Sequence, residues 1–262
     1  MNIVGNDVSE FQGTIDWNTF KDNANFAIIR SSYGDGFTDK QFFQNRNEAR
    51  RVGLPHGFYH YCYPEDNTPE AEAAWFLSQI GTLQAGEILC LDYEEHYTGD
   101  PVAWCKTWLD VVQKATGVKP FIYLNQSLAT SYDWTIVAGS DYALWIAAYT
   151  YDPTLNNFQL GKFPYASMQQ WTDKQQVPGI TGAVDGDVFF GDAATFQKYG
   201  YVPVPVPPPP APVPTPVPVP PAPQPVPTPP DRLGQLEAII KSKWGWFGTN
   251  GWQNKLKQLR AI

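Results

Sequence analysis

The chain has 262 residues and 25 prolines, about twice the usual proline share, and 17 of those prolines fall between residues 202 and 230. Before residue 231 there are twelve basic and twenty-four acidic residues, a net charge of −12, whereas the tail from 231 to 262 carries net +4. An acidic body argues against a nucleic-acid backbone as partner, and no run of 18 uninterrupted apolar residues is present, which excludes a membrane-spanning helix.

The opening residues, Met1-Asn2-Ile3-Val4-Gly5-Asn6-Asp7, lack a basic region followed by a long apolar stretch, so no secretory signal is expected and synthesis into a host cytoplasm is. Short apolar, strand-like runs follow at 3–7, 26–31, 57–63, 88–92, 120–124, 143–147, 166–171 and 183–190. Helix-like stretches alternate with them, the pattern of β/α units around a mainly parallel sheet. Eight runs in about 200 residues predict an α/β protein built as a (β/α) barrel, with shorter and less helical connections after Leu124. Two helix starts are marked by Thr68-Pro69 and Asp100-Pro101, each an N-cap residue before a proline at the first helical position. Cys62, Cys90 and Cys105 cannot all pair within one chain and read as buried thiols. His56 and His60 have no third ligand at a suitable spacing, so neither a metal nor a cofactor is expected.

Strands buried on both faces make polar residues at their ends informative, because barrel active sites form at the C-terminal rim. The run 88–92 ends in Asp92-Tyr93-Glu94-Glu95. Alternation puts Asp92 and Glu94 on one face and turns Tyr93 and Glu95 to the other. Asp7 ends the first run, Arg30 the second, Tyr123 the fifth, and Gln170 and Trp171 the seventh; Tyr59 and Tyr61 belong to the third, Trp145 to the sixth, and Asp185 opens the eighth. Acids paired across one glycosidic bond can protonate its leaving oxygen and stabilise an oxocarbenium ion, while aromatic rims suit the apolar faces of sugar rings.

The ordered motifs Asp7-Val8-Ser9-Glu10-Phe11-Gln12-Gly13 with Ile15-Asp16-Trp17, Tyr59-His60-Tyr61, Leu91-Asp92-Tyr93-Glu94 and Ala183-Val184-Asp185-Gly186-Asp187-Val188-Phe189 resemble glycoside hydrolase family 25, the muramidases of phage endolysins and autolysins. The resemblance runs from about residue 2 to residue 199. It implies an irregular, TIM-like (β/α) barrel that cleaves the β-1,4 bond from N-acetylmuramic acid to N-acetylglucosamine in peptidoglycan. By position Glu94 matches the family's general acid, and Asp92, Asp7 and Asp185 match its other active-site acids. Arg30 stands where the family often has Lys, and Asp187 where it commonly has Asn, which leaves open whether Asp185 or Asp187 enters the site. Crowded carboxylates should leave Glu94 protonated near neutrality, its pKa raised by Asp92 and other acids, while Asp92 stays charged. Asp92 then either orients the substrate's acetamido group or positions water. Tyr59, Tyr61, Tyr123, Trp145 and Trp171 are candidate substrate contacts, with Arg30, Gln170 and Asp187 as polar partners.

Three domains follow: a catalytic barrel over 1–201, a stiff proline-rich linker over 202–230, and a small helical, Trp-rich segment over 231–262. The last is too short for a secure core of its own, so its tryptophans and basic residues suggest either attachment to an anionic cell-wall polymer or homo-oligomerisation. Two other functions compete with a muramidase: a wall-binding module without turnover, and a glucosaminidase or chitinase-type barrel. The chitinase pattern would need aspartates where Ile88 and Cys90 stand.

Overall fold

A computed structural model describes residues 1–203 together with Gly234, Gln235 and Ala238. The expectations for residues 204–230 and for the tail fall outside the described residues, those three positions excepted. Nine strands are present in the described part: β1 (Ile3–Val8), β2 (Ala27–Tyr33), β3 (Phe37–Thr38), β4 (His56–Tyr61), β5 (Ile88–Asp92), β6 (Phe121–Asn125), β7 (Leu144–Ala147), β8 (Met168–Gln175) and β9 (Val184–Phe189). The described helices are α1 (Trp17–Lys21), α2 (Phe42–Val52), α3 (Pro69–Ile80), α4 (Pro101–Thr116), α5 (Gln126–Ser131), α6 (Thr135–Ala138) and α7 (Ala193–Lys198).

The sheet order β1-β9-β8-β7-β6-β5-β4-β2 closes through a further β1–β2 pairing, giving an eight-stranded barrel, and β3 is an antiparallel appendage of β2. Seven barrel strands run parallel; β9 alone runs against both its neighbours. The helical layer is thick after β2, β4 and β5 and thins later: β7 reaches β8 without a helix.

The helix starts follow from local chemistry. Thr68 Oγ1 accepts the Ala71 N–H ahead of α3, and an Asp100 carboxylate oxygen accepts the N–H groups of Val102 and Ala103 ahead of α4. Pro69 and Pro101 occupy first-turn positions where no N–H is needed. Helix α3 is also clamped to the barrel wall by polar contacts with no solvent access. His60 Nε2 lies 2.8 Å from Glu72 Oε2 and His60 Nδ1 2.9 Å from Ser32 Oγ, while Glu72 Oε1 accepts the Tyr63 N–H and the Asn67 amide, both at 2.9 Å. Burial pushes the His60 pKa down against the pull of Glu72. This Ser-His-Glu chain is fully buried and acts as a strut.

Two apolar layers result. One packs helices on the outside of the barrel, around Phe58, Phe76, Trp108 and Trp134. The other fills the barrel with inward side chains, including Phe26, Ile28, Cys90, Phe121, Met168 and Phe189. Space for it is made at Gly5, where a Cβ would collide with the Phe26 carbonyl and ring. The three cysteines are buried and unpaired.

Candidate active site

Inward-facing residues change from apolar to polar along the barrel axis. Register pairs Ile3 with Phe189, Gly5 with Asp187 and Asp7 with Asp185, so β1 and β9 contribute a ladder that is apolar at one end and acidic at the other. Because β9 is antiparallel, its first residues lie beside the last residues of β1. Asp185, at the start of its strand, therefore joins residues from the C-terminal ends of the others. Asp92 ends β5 and pairs with Tyr61 on one side and Tyr123 on the other.

A chain of hydrogen bonds ties the floor of this mouth together. Gln170 Nε2 donates to Asp7 Oδ2 at 2.8 Å, and Gln170 Oε1 accepts the phenols of Tyr123 at 2.9 Å and Tyr149 at 3.1 Å. Trp145 Nε1 donates to Asp187 Oδ1 at 2.9 Å. Asp187 is fully buried, its interaction with the Asp7 carboxyl raises its own pKa and lowers that of Asp7, and its Oδ2 has no hydrogen-bond partner. Both β9 acids thus take part: Asp187 lies under Asp7, while half-buried Asp185 lies at the opening.

Electrostatics at this mouth are set first by burial. Desolvation and then the Asp185 charge raise Asp7 to about 8, against the lowering effect of its bonds from Gln170 and Asp187. Desolvation and then Asp173 raise Asp185 to about 6. Asp187 is pushed well up by burial and by Asp7. Asp92 is also pushed well above the carboxylate range, by burial and then by Glu94, and its Oδ1 lacks a hydrogen-bond partner. Burial and Glu94 therefore work against the expected charge on Asp92, the more deeply desolvated of the two acids on its segment.

Glu94 stands at the mouth, exposed to solvent and lining the groove. Its pKa is raised by desolvation, then by Glu95 and Asp185, and its charge and that of Asp92 oppose one another, as the sequence suggests. Glu95 itself departs from the alternation rule. Strand β5 ends at Asp92 and the chain bends, so Tyr93 stays in the outer core while Glu95 swings back to accept the Tyr61 phenol at 2.6 Å. Beyond the last ladder pair, strand periodicity no longer dictates direction.

The other expected contacts sort by depth. Tyr59 and Tyr123 are buried, and Trp145 is only 2% exposed, wedged against Tyr123 with ring centroids 4.8 Å apart. Trp145 is a floor beneath the acids and not a wall. Tyr61 and Trp171 are half-buried. Arg30 is committed: its Nε donates to Asp39 at 2.8 Å, a terminal nitrogen reaches Glu10 at 3.3 Å, and Phe11 and Tyr33 rings flank its guanidinium at 4.9 and 5.3 Å. Its charge still opposes the rise of the Asp92 pKa.

A groove of about 580 Å³ opens beside Glu94 and Tyr123, lined further by Asn125, Gln126, Tyr149, Leu155, Asn157 and Phe158. Tyr149 is 44% exposed. Most of these residues lie in the long β7–β8 connection, which has no helical or strand period and so gives no sequence signal. The amides Asn125, the last residue of β6, and Gln126, the first of α5, could have been found by extending the strand-end rule past Leu124.

The family model described as glycosyl hydrolases family 25 matches residues 6–180, which spans every motif above except the β9 acids. This chain belongs to glycosyl hydrolase family 25. The family 25 hydrolase is 34% identical over 208 residues to the uncharacterised Escherichia coli protein YegX, covering 75% of this chain and 73% of that one. It is 27% identical to Lysozyme M1 of Streptomyces globisporus, covering 73% and 69% of the two chains. Among solved structures it is similar to the catalytic domain of endolysin ply40 from a bacteriophage of Listeria monocytogenes, with a TM-score of 0.60, 25% identity and coverage of 76% and 97%. As a glycoside hydrolase it needs an acid that can give up a proton at the groove. Glu94 lines that groove, and among the described residues no cluster of His, Cys, Asp and Glu is arranged to hold a metal ion.

Proposed function

We propose that this hydrolase is an N-acetylmuramidase, cleaving the β-1,4 bond between N-acetylmuramic acid and N-acetylglucosamine in peptidoglycan. One observation carries the assignment of roles: carboxyl groups from β1, the end of β5 and β9 converge on one mouth, and the one that opens on the groove, Glu94, is shifted toward holding its proton. Glu94 is the general acid for the leaving oxygen. Asp92, Asp7 and Asp185 surround the position where positive charge develops on the sugar, and a cation there draws protons off these acids and restores their negative charge.

The groove supplies the matching surface. Tyr149, Leu155 and Phe158 offer apolar area for a sugar face, and Asn125, Gln126 and Asn157 offer amides to acetamido and hydroxyl groups. Buried Asp92 serves either to orient the substrate's acetamido group or to position water. Digesting purified peptidoglycan, reducing the products and identifying the new reducing end tests the reading. Muramic acid supports it, glucosamine makes the enzyme a glucosaminidase, and no new end makes the barrel a binder. Retention or inversion at that end separates the two routes.

An endolysin role is the biological setting we favour, supported by the likeness to the ply40 catalytic domain. In that setting the protein gathers in the host cytoplasm and reaches the wall at lysis. The net +4 segment at 231–262 then holds the enzyme on an anionic wall polymer, or brings copies together. Deleting 231–262 and measuring both wall binding and sedimentation mass distinguishes the two.

A further inference from the structure

The Tyr61–Glu95 contact has no place in the roles given so far. Tyr61 ends β4, and its phenol donates to Glu95 Oε1 at 2.6 Å. The bond draws Glu95 back to the end of β4, where Tyr61 pairs with Asp92, next in sequence to the acid at the groove. Tyr61 is held in turn by its ring contact with Tyr63, centroids 5.4 Å apart, and Tyr63 packs against Tyr33 at 6.3 Å. The Glu95 carboxylate is therefore placed by an aromatic train reaching back to β2.

We propose that Glu95, tethered by Tyr61, is a positioning residue whose negative charge keeps the proton on Glu94 available for delivery to the leaving oxygen. The proposal rests on Glu94 being the general acid. Several groups face Glu94 or share its field: Asp92 and Glu95 on its own segment, Tyr61 from β4, Tyr123 from β6, Tyr149 from the β7–β8 connection, Asp7 from β1 and Asp185 from β9. Arg30 from β2 is the cation on this side of the barrel, and its influence falls on Asp92. Glu95 and Asp185 both raise Glu94 beyond the effect of desolvation, and Asp92 and Glu94 oppose each other's charge in addition. The design differs from a pair of acids sharing one proton. Here the second acid is engaged by a phenol and acts on Glu94 through space.

The test is the pH dependence of kcat/KM on a soluble peptidoglycan oligomer of defined length, for the full chain and for Glu95→Gln and Tyr61→Phe. Removing a like charge makes the Glu94 proton easier to lose, so the alkaline limb should move down by about half to one pH unit in Glu95→Gln. Activity on the acid side should remain close to the parent's. Tyr61→Phe leaves the charge but releases it, and should move the limb the same way by less. An unmoved limb in Glu95→Gln overturns the proposal. So does an equal loss at every pH, which would mark Glu95 as merely structural. If the parent releases no muramic acid reducing end, the muramidase reading fails first, whatever the variants do.

Discussion

Replacing Asp187 by Asn should make the protein more stable in alkali while barely changing it in acid. Asp187 and Asp7 are buried together with one hydrogen bond between them, so the pair is comfortable only while it holds a proton. An acid whose folded pKa lies above its unfolded value binds protons more tightly when folded. Stability is then highest below the unfolded pKa and is lost as pH rises toward the folded one. With Asp7 moved from 3.8 to about 8, and about 1.4 kcal/mol per unit, the loss over that window is on the order of 5 kcal/mol. An Asn fits the same contacts: its oxygen accepts from Trp145 Nε1 and its amide donates to Asp7, with nothing to ionise. Asp7 keeps its desolvation and the Asp185 charge, so only part of the cost is relieved, roughly 2 kcal/mol at pH 8. That corresponds to a rise of about 4–8 °C in Tm for a domain of this size. Thermal melts of parent and variant from pH 4 to 8.5 check it. A Tm difference that is the same at both ends, or a variant less stable at pH 8, would refute the shared proton.

Glu94→Gln should lower turnover about 10²- to 10⁴-fold with an unchanged melting curve, and substantial lysis by this variant would overturn its role as general acid. Tyr149→Ala, which removes both groove wall and a bond to Gln170, should raise KM more than it lowers kcat; steady-state kinetics on soluble oligomers separate these. Glu72→Ala leaves His60, the Tyr63 N–H and the Asn67 amide without their buried acceptor, and should cost about 3–5 kcal/mol in chemical denaturation.

The barrel was legible because short apolar runs recur at strand length along the chain, and several, such as β1, β2 and β5, carry their polar residues toward the rim end. The helix starts were legible because caps are local. What was missed lies where local rules stop. Glu95 follows the last ladder pair, so alternation sends it the wrong way, and Tyr61, 34 residues earlier, fixes its direction. Trp145 has the same inward phase as a rim aromatic but sits one layer lower, and depth along a barrel is not encoded in a period of two. The roles of Asp185 and Asp187 depend on β9 running backwards, which an apolar run of that length does not announce.

The reversed β9 also decides where the chain departs. In a barrel of eight parallel strands the last one would deliver its end to the catalytic mouth. Here β9 starts at the mouth and descends, and after α7 the Tyr201 N–H and carbonyl bond to Glu87 and Gly86, just ahead of β5 at the closed end. The exit is thus a rear door. A fluorescent protein or affinity handle joined after residue 203 would begin its path on the side away from incoming glycan, whereas one joined within 148–167 would stand in the doorway.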